Sequence, residues 1–261
     1  MDLSLKGRHA LVCGASKGIG RATALELAAN GATVTAMARS KDLLESLVSE
    51  LAADSGQNHG YLVADFSDPD GLNALVESLC ENQPVHILIN NSGGPPGGPA
   101  HAATLEEYTN AFTKHLLCSQ VLVAAVIPGM QKDRYGRIIN IISTSVKQPI
   151  PGLGVSNAIR GAVANWAKTL SFELGPDGIT VNNVLPGFTE TDRLKDIIDN
   201  KASAAGSSER AVAEALRGQV PLRRFAQASE TANAIAFLAS PAAAYISGVN
   251  LPVDGGRTSS L

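Results

Sequence analysis

Sulfur, aromatic rings and net charge are all scarce in this sequence. The three cysteines, Cys13, Cys80 and Cys118, are widely separated, with no CxxC and no cluster of Cys and His at zinc-ligand spacing. That excludes a disulfide framework and a zinc site, and reads as buried thiols in a reducing compartment. Aromatic residues make up 4% of the chain, too few for a platform on which bases stack. With 21 Lys+Arg against 24 Asp+Glu the formal net charge is −3, which gives no general field for nucleic acid or an anionic membrane. The longest apolar run, 121–127, is far short of the roughly 20 residues that span a bilayer. Residues 1–6 hold no long apolar stretch either. The expectation is a cytoplasmic protein with no bound metal and neither nucleic acid nor membrane as partner.

What is present is apolar and glycine-rich. Hydrophobic residues are 44% and charged residues 17% of 261 positions, enough for a sizeable core. Gly accounts for 25 of them, above the usual share of about 7%, as tight turns and close helix–sheet packing require. Apolar runs of strand length stand at 9–13, 33–37, 61–64, 86–89, 137–142, 179–184 and 245–253. Most are apolar nearly throughout, as parallel strands covered on both faces must be, and the intervals between them hold crossover helices. The pattern predicts an α/β fold: a doubly wound, Rossmann-type parallel sheet of seven strands, helices on both faces, forming a single domain over 1–261. Two long helices are predicted over 112–130 and 157–174. The Gly/Pro-rich stretch 93–99 must be a loop. The charged stretch 192–218 reads as exposed helices, either a solvated face or, within 190–218, a substrate lid.

The first strand runs into Gly14-x-x-x-Gly18-x-Gly20, with Ser16, Lys17 and Ile19 between the glycines. At a strand-to-helix junction such glycines bring backbone N–H groups and a helix N-terminus close to a pyrophosphate, although a structural turn would use them too. In NAD-binding loops of this kind a carboxylate near the end of the second strand accepts the ribose hydroxyls. Here that stretch reads Ala36-Met37-Ala38-Arg39-Ser40. A ribose 2′-phosphate would meet Arg39, Lys17, Ser16 and Ser40, so NADP is expected over NAD. The alternative for Lys17 and Arg39 is two surface cations.

Together with Asn90-Asn91-Ser92-Gly93, Pro186-Gly187 and the C-terminal Val253-Asp254-Gly255-Gly256, the glycine loop resembles the short-chain dehydrogenase/reductase family, and in particular its 3-oxoacyl-carrier-protein-reductase-like branch. The resemblance covers essentially the whole chain. It implies that Asp65 and Phe66 flank the adenine and that Asn91, Ser92 and Gly93 line the middle of the cofactor. Pro186, Gly187, Thr189 and Thr191 would hold the carboxamide and phosphates. A helix cap is the alternative role for Asp65, and a simple turn for Pro186-Gly187.

The family's proton machinery is where the sequence departs. Ser143 matches the Ser that positions the substrate oxygen, but Tyr-x-x-x-Lys is replaced by Ser156-x-x-x-Arg160, and the upstream Asn by His115. An aliphatic hydroxyl ionises far less readily than a phenol, and Arg stays charged at working pH. What remains is electrostatic: Ser143 can donate to a developing alkoxide, and Arg160 can hold ribose hydroxyls and supply a positive charge. His115, if it keeps its ordinary pKa, can drive a water relay, though a lone His on a helix is usually structural. The resemblance therefore implies an NADP-dependent oxidoreductase acting on a small carbonyl or secondary alcohol with altered proton handling. The alternative is a nucleotide-binding protein of the same fold without turnover. It also implies a homo-oligomer, a tetramer or dimer.

Overall fold

Runs of Ala, Val, Ile and Leu lose water most completely between two helical layers, and the computed structural model, which describes residues 1–54 and 56–260, places them there. Ser55 and Leu261, the remainder of the expected 1–261 domain, lie outside the described residues. The strands are β1 (His9–Cys13), β2 (Thr33–Ala38), β3 (Gly60–Val63), β4 (Ile87–Asn90), β5 (Gly136–Ile141), β6 (Ile179–Pro186) and β7 (Asn250–Val253). They form one sheet in the order β3-β2-β1-β4-β5-β6-β7, and each pairing is parallel. The expected doubly wound architecture is the one observed.

The described residues form nine α-helices, of which α7 and α8 pack on each other beside the sheet: α1 (Gly18–Ala29), α2 (Lys41–Glu50), α3 (Pro69–Asn82), α4 (Leu105–Phe112), α5 (Cys118–Asp133), α6 (Gly154–Glu173), α7 (Asp192–Ala205), α8 (Glu209–Gly218) and α9 (Ala228–Ala239). Alternate residues of a strand face opposite layers. In β1, Ala10 and Val12 pack with Leu27 of α1, Leu44 of α2 and Ile235 of α9. Leu11 and Cys13 pack with Val76 of α3, Leu122 of α5 and Ala167 of α6.

The structure changes several boundaries. The helix expected over 112–130 is a longer rod, α4 and α5 joined by a π-helical turn at Thr113–Leu117. It starts early because Thr104 and Glu107 form a capping box, and it stops where Arg134 turns left-handed at φ 48°. By length and composition this rod could cross a bilayer, but its Leu122, Val123, Val126 and Met130 are buried in the core. The second long helix, α6, begins at Gly154 rather than at 157. The last strand keeps only Asn250–Val253 of the expected 245–253, since Gly248 at φ +74° bends the chain before it. Cys13 and Cys118 are buried, whereas Cys80 is half-buried.

At the C-terminal side of the sheet, four asparagines stand in register on adjacent strands. Asn90 of β4 donates to Asn140 of β5, Asn140 to Asn183 of β6, and Asn183 to Asn250 of β7, each at 2.8 Å. Each of these three amide N–H₂ groups finds its neighbour's side-chain oxygen, while the buried Asn90 Oδ1 at the end of the row has no partner among the described residues.

Candidate functional site

The sheet order reverses between β1 and β4, and the crevice outside the strand ends at such a point is where an open α/β sheet takes a ligand. Gly14, at φ +60°, leaves β1 in a conformation that side chains rarely adopt, and a Cβ there would stand 2.6 Å from the Asn91 amide nitrogen. A Cβ on Gly20 would collide with the Gly14 carbonyl oxygen. The loop is thus closed by backbone against backbone. No side chain caps the N-terminus of α1, so its first N–H groups stay available to an anion. A phosphate-bearing cofactor fits this cradle. Asn91, expected to line the cofactor, directs its amide to the carbonyls of Cys13 and Gly14 at 3.3 and 3.4 Å and so ties β4 to the loop.

At the end of β2, Arg39 and Ser40 are exposed, and the Ser40 hydroxyl caps nothing although it is the N-cap of α2. Ser16 lies half-buried in the glycine loop. Lys17 is engaged elsewhere: its Nζ is 2.9 Å from Asp192 Oδ2, joining the loop to the first turn of α7. Asp65 is exposed, and its Oδ1 accepts from the Ser67 N–H at 2.9 Å. That bond, with Arg39 and Lys114 as further positive charges nearby, holds its carboxyl below the usual carboxylate range. The capping role considered for Asp65 belongs to Asp68, which accepts from Gly71 N at the start of α3. Phe66 is half-buried against the α3 layer of the core.

The centre of the crevice gathers residues from four elements. Ser143 follows β5, and its hydroxyl oxygen accepts from the Ser145 N–H at 3.1 Å, which leaves the hydroxyl proton free to donate. Ser156 and Arg160 are one turn apart on α6 and both buried. The Ser156 hydroxyl has no hydrogen-bond partner among the described residues. Arg160 Nη1 donates to the Ile141 carbonyl at 3.0 Å, and its buried Nε has no partner. Burial, with the charge of Arg193 second, lowers its pKa to about 10, so it stays a cation at neutral pH. His115 occupies the π-helical turn, its Nδ1 2.7 Å from Ser92 Oγ. Burial first, then the charges of Arg160 and Lys114, push it down to about 2. The titration near neutral pH open to an unperturbed imidazole is therefore not what the site provides: the ring is neutral.

On the far side, Pro186 and Gly187 end β6, and a Cβ on Gly187 would press on the Asp254 backbone at 2.7 Å. Thr189 is buried and its hydroxyl donates to the Gly187 carbonyl at 3.3 Å. Thr191 is the N-cap of α7, accepting from Leu194 N, and its methyl approaches Gly18. Gly93 is exposed, and Ile19 is half-buried against the core. Sequence reading missed two features here. One is the Ser92–His115 pair, whose partners lie 23 residues apart. The other is Arg193, whose Nη2 reaches across the crevice to the Pro95 carbonyl at 3.0 Å.

A Rossmann sheet with a glycine cradle at its switch point and a Ser on the strand beside it defines a class, and the chain belongs to it: the short-chain dehydrogenase/reductase family. Residues 14–258 match the family model described as enoyl-(acyl carrier protein) reductase. The chain is 37% identical over 258 residues to the 3-oxoacyl-acyl-carrier-protein reductase FabG of Pseudomonas aeruginosa, covering 97% of this chain and 98% of that one. It is 32% identical to the NADPH-dependent reductase BacG of Bacillus subtilis, covering 97% and 99%. Among solved structures it is similar to the L-sorbose reductase of Gluconobacter frateurii complexed with NADPH and L-sorbose, with TM-score 0.93, 29% identity and full coverage of both chains.

Proposed function

We propose that this chain is an NADP-dependent oxidoreductase that moves a hydride between nicotinamide and a carbonyl or secondary-alcohol substrate. The observation that carries the reading is the glycine cradle with an unpaired Arg39, rather than a carboxylate, at the end of β2. NADPH-binding relatives support it. The cradle N–H groups and the N-terminus of α1 take the diphosphate. Arg39, Ser40 and Ser16 take the 2′-phosphate, and Lys17 joins them by exchanging its Asp192 partner. Ser92 and Gly93 flank the middle of the cofactor, with Asp65 and Phe66 on the adenine side and Pro186, Gly187, Thr189 and Thr191 on the nicotinamide side.

Bound there, the cofactor supplies or accepts the hydride. The residues of the chain handle the oxygen and the proton. Ser143 donates to the substrate oxygen, and Arg160 places a permanent charge beside it, stabilising alkoxide character. Ser156 stands where the family's phenol would, and its shorter side chain would hold a water that delivers the proton and is reprotonated from bulk solvent, with neutral His115 anchoring that water as a hydrogen-bonding group. Segment 190–218, helices α7 and α8, acts as the lid, tied to the glycine loop by Lys17 and Asp192 until the cofactor phosphate takes over Lys17. The assembly is a cytoplasmic homo-oligomer, a tetramer or dimer.

Titration with NADPH and NADH tests the cofactor half of this reading: NADPH binds more tightly, and equal affinities would refute it. A panel of ketones and alcohols tests the chemistry. Turnover that is lost in Ser143→Ala and reduced in His115→Ala supports the enzyme. Tight NADPH binding with no turnover until Ser156→Tyr is combined with Arg160→Lys would assign the non-catalytic, nucleotide-binding reading instead, which the lost Tyr–Lys pair motivates.

A further inference from the structure

Two guanidinium groups converge on Gly94 in the crevice. A Cβ built on Gly94 would have Arg193 Nη2 at 3.9 Å and Arg160 Nη2 at 4.0 Å, and nothing else within 4 Å outside its chain neighbours. We propose that the space beside Gly94, between these two guanidiniums, seats a carboxylate of the substrate, so that the enzyme acts on oxo acids or hydroxy acids rather than on neutral ketones. The inference rests on the oxidoreductase reading above and names the substrate class of that same site.

Each arginine is held in place by a backbone carbonyl rather than by an acid. Arg160 Nη1 is fixed on Ile141 O, and Arg193 Nη2 on Pro95 O. Neither side chain forms an ion pair among the described residues. Two cations facing each other without a counter-charge repel, and the nearer to the interior they lie the less water screens them. Arg160 is buried, with an unpartnered Nε, so its desolvated charge is offset in the free protein by a backbone carbonyl and no acid. A carboxylate seated between the two guanidiniums would accept charge-assisted bonds of about 2.7–2.9 Å, one oxygen from each arginine. Guanidinium carries five N–H donors, so Arg160 can hold the cofactor ribose and the anion together. Gly94 is exposed, which leaves that space open to a ligand arriving from solvent, and the absence of a Cβ there leaves room for it. Ser143, the donor to the reacting oxygen, follows by two residues the Ile141 whose carbonyl holds Arg160, so the proposed anion site and the reacting oxygen belong to the same crevice.

The test compares acetoacetate and 4-oxopentanoate with their methyl esters, by calorimetry on the full chain with and without NADPH and by kcat/KM where turnover occurs. The parent protein favours each acid over its ester about 10- to 100-fold, and Arg193→Met brings the ratio to within about twofold while Arg193→Lys retains part of it. A parent ratio near one overturns the inference. So does a ratio that survives Arg193→Met, or a Met variant that weakens NADPH about tenfold yet keeps the acid preference, which would give Arg193 to the cofactor diphosphate. Failure of NADPH itself to bind would count against the oxidoreductase reading. The acid-to-ester ratio in the cofactor-free protein would then still decide the anion site, through calorimetry alone.

Discussion

His115 shows how far a residue's chemistry depends on what surrounds it. In the sequence it is a titratable group at a position where relatives of this fold are expected to carry Asn. In the structure its ring is enclosed, bonded to Ser92 and faced by Arg160, and it remains neutral well below its ordinary range. Rate profiles between pH 5 and 8 are therefore expected to lack an ionisation near 6.5 assignable to His115, and the profile of His115→Asn should overlay that of the parent in shape. At the other end of the crevice, Arg39→Ala is expected to weaken NADPH by about 10- to 100-fold and leave NADH nearly unaffected, measured as the ratio of the two dissociation constants. The glycines, Ser143 and the altered Ser156 and Arg160 were all legible as letters at fixed spacing. Arg193 was not, since its partner Pro95 is 98 positions away and no local pattern marks it.

Elements were read well where hydrophobic period decides them and less well where hydrogen bonding does. All seven strands were visible as apolar runs, yet the last was overextended, because only the left-handed Gly248 shows where it begins. The π-helical turn at Thr113–Leu117 left no trace in the apolar period, since its neighbours on either side continue the same rod. Ser119 Oγ accepts none of that turn's burden but donates to the His115 carbonyl at 2.8 Å, a bond that follows from geometry alone. The cradle gives an element-scale prediction. Gly20→Ala forces a Cβ into the Gly14 carbonyl, so it should destabilise the fold by about 1–3 kcal/mol in urea titrations and abolish NADPH binding at concentrations that saturate the parent. The asparagine row gives another. Asn140→Leu removes two buried bonds and strands their partners, which should cost about 2–4 kcal/mol, several times the effect of replacing an exposed polar residue on α8.

For the molecule as a whole, two measurements are informative. Phe172 near the end of α6 is 71% exposed, and Phe112 and Leu117 on the α4–α5 rod are also partly uncovered, surfaces suited to burial against another copy. Size-exclusion chromatography should show a tetramer or dimer, and Phe172→Glu should shift it to a smaller species. Acid stability follows from the buried imidazoles. His9 is lowered to about 4 and His115 to about 2, chiefly by burial, and His86 is lowered as well. Once unfolded, these rings take up protons below about pH 6.5 that the folded state refuses. Stability is therefore full above that pH and falls as acid increases, approaching about 1.4 kcal/mol per pH unit each for His9 and His115 between their folded and unfolded pKa values, with His86 adding in the same direction. Urea midpoints from pH 7.5 to 4.5 should show the decline, and His115→Asn should make it shallower. The row of asparagines also settles where the crevice stands. Sliding β5 or β6 by one residue against its neighbours would unseat side chains on both flanks together, so the row holds these strands level beneath the loops that leave them. Insertions and substitutions above that row can alter what is bound without tilting the ground beneath it.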